Sequence, residues 1–135
     1  FELIFYGVLD RYPKLRFVSV ENEIGWMPFM LQQWDYYYNR FKGVNPPPIT
    51  KNPSEYFNRQ VYGTFFRDTA AGHSFEWWGQ DNCMWSNDYP HPNSTWPNSR
   101  QVIERDLGHL PAKARTRLVR GNVSELYQLE HRSSE

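Results

Sequence analysis

The sequence predicts an α/β fold in which short parallel strands alternate with helices, in an open sheet or a barrel. Three compact runs of β-branched and aromatic residues are typical of buried strands, and helical patterns lie before and after each run. At 135 residues the chain has the usual length of one domain. We therefore expect residues 1–135 to form one α/β unit.

The first part of the chain predicts helix, strand and helix in that order. Residues 2–10, "ELIFYGVLD", have a helical spacing that stops before Pro13, and residues 15–20 form the first strand candidate. Residues 27–41 carry apolar side chains every three or four positions, which indicates an amphipathic helix. Four prolines within residues 43–53 then exclude helix and central strand and indicate an ordered loop.

The second part continues the alternation and ends in helices. Ser54 is a candidate cap for a short helix through Asn58. The remaining segments are strands over residues 60–66 and 82–86, a helical candidate over 74–79, a helix capped by Asn98 and Gln101 that ends at Leu107, a helix from Pro111 to Gly121, and a last helix capped by Asn122 and Glu125.

Composition narrows the classes of partner. Fifteen basic and fifteen acidic side chains cancel, so nothing favours binding to nucleic acid or to an anionic membrane surface. No apolar run approaches the roughly 20 residues of a membrane span. Cys83 is the only cysteine and cannot form an intramolecular disulfide, so we expect a buried thiol and a cytoplasmic protein. The chain begins at Phe1 rather than at a methionine, which suggests a piece of a longer protein.

Charged and polar residues follow each predicted strand. The carboxyl ends of parallel strands share one edge, where functional groups gather, and a dry carboxylate there needs a metal ion or an imidazolium beside it. If Asp88 faces a barrel interior, alternation places Met84 and Ser86 on its side and Cys83 and Trp85 towards outer helices. The same count places Phe17 and Ser19 on the interior with Glu21. The candidates are Glu21, Asn22 and Glu23 after the first strand, Arg67 and Asp68 after the second, and Asn87, Asp88 and His91 after the third.

Each candidate also has a purely structural interpretation. Asp88 could accept backbone N–H groups in an Asx-type turn, and His91, between two prolines, could be an ordinary loop residue. Glu21 and Glu23 could form an ion pair with Arg67. His73 and His109, in predicted turns, are expected to be solvated, and His131 lies in a tail-like end of the sequence. The sequence has no HExxH, Walker-type, GxGxxG or GxSxG motif, so the corresponding enzyme classes lack their signatures.

Four segments in order resemble amidohydrolase family 2, the TIM-barrel metal-dependent hydrolases related to aminocarboxymuconate-semialdehyde decarboxylase. They are "GVLDRYPKLRFVSVENEIGWMPFMLQQWD", "PSEYFNRQVYGTFF", "MWSNDYPHPNSTWPNS" and "RLVRGNVSELYQL". The resemblance covers nearly the whole chain. It implies the C-terminal part of a (β/α)8 barrel, a single partial domain over residues 1–135 whose strands would be the sixth, seventh and eighth.

The resemblance also implies roles for particular residues. Asp88 would bind a divalent metal, zinc first among the choices, or act as the base towards metal-bound water. Glu21 stands where family decarboxylases usually have a histidine and is the second catalytic candidate, while His91, Asn22 and Trp26 would line the substrate pocket. The other metal ligands, a first-strand His-x-His pair and a fifth-strand histidine, would lie outside this chain.

Three functions therefore stay open from the sequence. The first is a metal-dependent hydrolase that uses an activated water on a small carboxylate-, amide- or ester-bearing substrate. The second is a non-oxidative decarboxylase on the same scaffold, which Glu21 disfavours, and the third is a non-catalytic fragment. A full barrel takes about 250 residues, so we expect that the rest of the barrel or another chain completes the fold. We expect no activity from this chain alone, and a homo-oligomer is compatible with the sequence.

Overall fold

A three-stranded parallel sheet organises the computed structural model, which describes residues 1–129. The strands lie in the order β1, β2, β3 and are Phe17–Ser19, Val61–Phe65 and Cys83–Trp85. Both pairs are parallel, with Phe17 opposite Val61 and Gly63 opposite Cys83. The predicted α/β class with parallel strands is confirmed. His131 lies outside the described residues.

Helices connect the strands and follow the last one. A π-helical turn, Arg117–Gly121, joins the final two helices. The helices are α1 Glu2–Phe5, α2 Val8–Arg11, α3 Met27–Phe41, α4 Pro53–Gln60, α5 Thr69–Ser74, α6 Ser99–Leu107, α7 Ala112–Thr116 and α8 Asn122–Leu126. Among residues 1–129, no helix combines the length and the apolar character that crossing a membrane requires.

Two helix predictions in the N-terminal half are corrected in detail. The helix predicted over residues 2–10 is broken at Gly7, which adopts a left-handed conformation (φ 70°) between α1 and α2. The cap of α4 is Asn52, whose partner in a capping box is Glu55. Ser54 instead donates its backbone N–H and its hydroxyl to the carboxylate of Asp35, at 2.9 and 2.6 Å. These bonds join α3 to α4.

The C-terminal half contains two further corrections. The helix expected over residues 74–79 is α5, which ends at Ser74 and begins earlier because Asp68 accepts the Ala71 N–H at its start. Asn122 does not cap a separate helix, since the chain remains helical through Gly121. Its side-chain amide donates to the carbonyl of Cys83 at 2.7 Å and so anchors the last helix to β3.

The apolar core lies on one side of the sheet, beneath the helices. In β2 the buried residues alternate with partly exposed ones, so Val61 and Phe65 face the helices while Tyr62 and Thr64 lie on the opposite face. Cys83 packs in the same core as predicted, and burial raises the pKa of its thiol. Two clusters make up this core, one around α1 to α4 and one around α5 to α8.

The faces predicted for β3 agree with the structure, whereas those predicted for β1 do not. Met84 pairs with Thr64 on the face that points away from the helices, opposite the side of Cys83. Phe17 and Ser19, however, line a helix-side cavity that also includes Met27. The expectation that they lie beneath Glu21 is wrong because Glu21 turns into a left-handed conformation (φ 60°) after the strand, which ends the alternation.

Candidate metal centre

Glu21, Asp88 and His91 meet at the carboxyl edge of the sheet. One ligand atom from each lies within 4.8 Å of the other two. His91 Nδ1 is 3.0 Å from Asp88 Oδ1 and 3.7 Å from Glu21 Oε1. The imidazole therefore contacts two carboxylates, one that follows the outer strand β1 and one that follows the outer strand β3.

The three side chains differ in their exposure to solvent. The side chain of Asp88 is 10% exposed, whereas those of Glu21 and His91 are 56% and 63% exposed. A carboxylate removed from water needs a cation or hydrogen-bond donors, and His91 is the side chain that contacts Asp88. Asp88 thus forms the floor of the site, and Glu21 and His91 form its rim.

Left-handed backbone conformations occur at three acidic residues around this site. Glu21, Glu23 and Asp88 have φ values of 60°, 49° and 58°. Such conformations cost L residues of order 1–3 kcal/mol and cluster at functional sites. The Asx-type turn considered for Asp88 is made by its neighbour, because Asn87 Oδ1 accepts the backbone N–H of Tyr89 at 3.1 Å. The Asp88 carboxylate remains directed at His91.

The loop that carries Glu21 is attached to β2 and α5. The backbone N–H of Glu21 donates to Thr64 Oγ1 at 3.0 Å. Asp68, which is buried, accepts the N–H groups of Ile24 and Gly25 at 2.7 and 2.6 Å in addition to its capping bond at α5. Sequence reasoning placed Asp68 at a strand end without seeing this role, since its partners lie more than forty positions away. The sequence signal that could have indicated this role is the position of Asp68 as an acidic residue between a strand and a helix.

Glu23 faces the backbone that follows β2. Its carboxylate accepts the N–H groups of Phe66 and Arg67 at 3.1 and 3.3 Å. Burial raises the pKa of Glu23, and these two bonds oppose that effect only in part. The ion pair considered between the glutamates and Arg67 does not form, because the Arg67 guanidinium donates to the carbonyl of Ser94 instead, at 2.8 Å.

Asn22 and Trp26 point elsewhere. The side-chain amide of Asn22 donates to the hydroxyl of Ser19, and the backbone carbonyl of Asn22 accepts the Trp26 indole N–H at 3.1 Å. Trp26 lines the helix-side cavity of about 140 Å³ that includes Phe17 and Met27. The structure thus brings three of the five predicted site residues together, and the substrate-binding roles of Asn22 and Trp26 stay predictions.

The remaining described histidines lie apart from this cluster. His73 and His109 are exposed, as expected, and their ring centroids are 5.4 Å apart. His109 Nε2 also lies 3.1 Å from the carbonyl oxygen of Gly72. These two side chains belong to the outer surface around α5 and α6.

A parallel sheet whose strands alternate with helices is the arrangement found in a segment of a TIM barrel, and this sheet carries two carboxylates and an imidazole at its strand ends. Residues 2–129 match the family model described as amidohydrolase. The chain therefore belongs to the amidohydrolase family. No curated protein sequence gives a significant match to the chain.

Solved structures show the same fold over most of the chain. The 5-carboxyvanillate decarboxylase of Sphingomonas paucimobilis is 27% identical with a TM-score of 0.77, and the match covers 95% of this chain and 38% of that one. A dihydroxybenzoic acid decarboxylase from Polaromonas sp. JS666, with bound manganese and 2-nitroresorcinol, is 22% identical with a TM-score of 0.75, covering 94% and 38%. The 5-carboxyvanillate decarboxylase of Novosphingobium aromaticivorans DSM 12444, also with manganese, is 20% identical with a TM-score of 0.75, covering 95% and 37%.

These matches bear on three expectations. The chain spans a little over a third of the length of these relatives, so its three strands are part of a TIM barrel. The metal in the two metal-containing relatives above is manganese, and the expectation of zinc gains no support from them. All three are decarboxylases, which favours the decarboxylase alternative over the hydrolase that the sequence placed first.

Proposed function

We propose that this chain supplies the C-terminal strand-end site of a metal-dependent, non-oxidative decarboxylase of small aromatic acids. The observation that carries the proposal is the cluster of Glu21, Asp88 and His91 within 4.8 Å at the carboxyl edge of the sheet. The solved relatives support the substrate class, because they are named for 5-carboxyvanillate and dihydroxybenzoic acid.

The residues of the cluster fit a divalent metal. Carboxylates are ligands that manganese accepts, and the nearly buried carboxylate of Asp88 is the member of the cluster that would hold the ion. When bound, a divalent ion would coordinate oxygen atoms of the substrate and offset their negative charge. The further ligands would come from the barrel strands that this chain does not cover.

Decarboxylation of an aromatic acid requires a proton at the ring carbon. The bond between that carbon and the carboxylate breaks, carbon dioxide leaves, and the electron pair that remains on the ring takes up the proton. His91 Nδ1 lies 3.0 Å from Asp88 Oδ1, so a proton can pass between the imidazole of His91 and the carboxyl group of Asp88. We assign the proton donor to this pair, and Glu21 Oε1 lies 3.7 Å from the same imidazole nitrogen.

A hydrolase is the second candidate, and Glu21 is the observation that favours it. A glutamate stands at the strand end where family decarboxylases usually have a histidine. In a hydrolytic reaction Asp88 would accept the proton of the attacking water and Glu21 would provide a second base. The two reactions differ in their products, since only decarboxylation releases carbon dioxide.

The test uses the full-length protein and the substitution Asp88→Asn. We expect bound manganese to fall and carbon dioxide release from 5-carboxyvanillate or 2,6-dihydroxybenzoate to drop by about 100-fold or more. Asp81→Asn is the matched control, because Asp81 is an exposed aspartate just before β3 that pairs with Arg117. Unchanged metal content and turnover in Asp88→Asn would refute the assignment, and hydrolysis products without carbon dioxide would establish the second candidate.

A further inference from the structure

Three carboxylates at the strand ends carry more negative charge than one divalent ion would offset. Glu21, Glu23 and Asp88 all lie at the strand ends, and the proposed substrates are anions. An anion that approaches several carboxylates needs a cation to offset the repulsion. Within residues 1–129, Arg67 is the only lysine or arginine among the first two residues after a strand, and it lies after the central strand β2.

Arg67 is held at both its backbone and its guanidinium. Its backbone N–H donates to Glu23 at 3.3 Å, and its Nη2 donates to the carbonyl of Ser94 at 2.8 Å. Ser94 belongs to the loop that carries His91, since the Ser94 N–H donates to the carbonyl of His91 at 3.0 Å. The guanidinium therefore rests on the same loop as the imidazole of the metal centre.

The charge of Arg67 is not neutralised within the described part of the chain. None of the carboxylates in residues 1–129 lies within the 4.0 Å of an ion pair with its guanidinium. Glu23 is close by in the fold, but its oxygens accept backbone N–H groups. A guanidinium has five N–H donors, and the bond to Ser94 occupies one of them. The others are available for a planar, two-oxygen acceptor such as a carboxylate.

We propose that Arg67 binds an anionic group that the substrate retains, and so selects aromatic acids with a second carboxylate. This inference rests on the proposed function. The carboxylate that leaves becomes neutral carbon dioxide, so a cation bound to it would stabilise the reactant and slow the reaction. A retained carboxylate keeps its charge throughout. A cation bound there lowers the KM and leaves kcat nearly unchanged.

The experiment compares vanillate with guaiacol, which have the same ring substituents except for the carboxylate. Binding to the full-length, manganese-loaded protein is measured by calorimetry. Loss of a charged hydrogen bond predicts that Arg67→Met weakens vanillate binding about 10- to 100-fold and leaves guaiacol binding unchanged. Arg67→Lys should give an intermediate affinity for vanillate. With 5-carboxyvanillate as substrate, Arg67→Met should raise KM and preserve kcat.

Arg16→Met is the matched control, because Arg16 is an exposed arginine before β1, at the opposite end of the sheet, and donates only to backbone carbonyls. It should bind vanillate as the wild type does. The inference about Arg67 is wrong if Arg67→Met binds vanillate as tightly as the wild type does, or if its guaiacol binding weakens as much as its vanillate binding. In either case, carbon dioxide release would still support the proposed function. If the wild-type protein neither binds vanillate nor releases carbon dioxide, both proposals fail.

Discussion

Asp68→Ala is expected to destabilise the protein and, at the same time, to loosen the candidate metal centre. The Asp68 carboxylate accepts three backbone N–H groups, those of Ile24 and Gly25 in the loop after β1 and that of Ala71 in helix α5. Alanine removes all three bonds. The segment between Glu21 and α3 then keeps only the bonds of Glu23 to the loop after β2, so the carboxylate of Glu21 is held less firmly beside His91.

The loss of stability is the sum of two contributions, one from the capping bond at α5 and one from the bonds to the loop after β1. Loss of the cap at α5 costs about 1 kcal/mol. The Ile24 N–H is buried, and a buried donor without a partner costs about 1–3 kcal/mol, with a smaller cost for the partly buried Gly25 N–H. We expect the free energy of unfolding to fall by about 3 kcal/mol in total. Asp68→Asn keeps one acceptor oxygen and should fall between the wild type and alanine.

Urea unfolding of the full-length protein and manganese content of its folded form measure the two effects. Asp35→Ala is the control, since Asp35 also accepts two hydrogen bonds, both from Ser54, within the helix pair α3 and α4. It should lower stability less and leave metal content unchanged. Equal urea midpoints for Asp68→Ala and the wild type would refute the reasoning, and so would equal metal content.

Three other predictions concern single contacts. Burial raises the pKa of Glu23 above 4.5, so the folded protein is stabilised by this group below pH 4.5 and loses that stabilisation as the pH rises through the raised pKa. When the midpoint of urea unfolding is measured at a series of pH values, Glu23→Gln should not show this loss. Gly63→Ala places a methyl group 2.7 Å from Cγ2 of Ile24 and should cost about 1–3 kcal/mol in urea unfolding, whereas an unchanged midpoint would show that Ile24 can move aside. Asn122→Ala removes the bond to the Cys83 carbonyl and should cost about 1–3 kcal/mol, with faster amide exchange in β3; unchanged exchange would contradict the anchoring role.

The strands were predictable because their signal is local. Each predicted run contains the observed strand, and β3 also shows the predicted alternation of faces. The alternation failed after β1, where the left-handed conformation of Glu21 breaks the period of two. Gly7 was a visible breaker inside the first predicted helix, but apolar spacing alone continues through it. Local patterns thus identify the elements and miss the points at which the backbone leaves its regular conformation.

The site was predictable as a location more than as a set of contacts. The rule for strand ends correctly placed Glu21, Asp88 and His91 at one edge, because it depends on topology rather than on side-chain direction. The contacts of Asp68 and Arg67 could not be predicted from spacing, since they join loops whose relative positions only the assembled sheet determines. Capping patterns were least reliable where a side chain had a better partner in another element, as with Ser54 and Asn122.

At Glu21, Glu23 and Asp88, the left-handed backbone conformation sets the stability of the fold against the presence of a carboxylate. Glycine adopts these φ values without steric strain, so the backbone at all three positions favours a residue that has no functional group. Screens that select only for thermal resistance would accumulate glycine at these strand ends and discard the carboxylates. A stabilised form of this protein should therefore be sought in the helices, where stability and chemistry make no competing demand on the same residue.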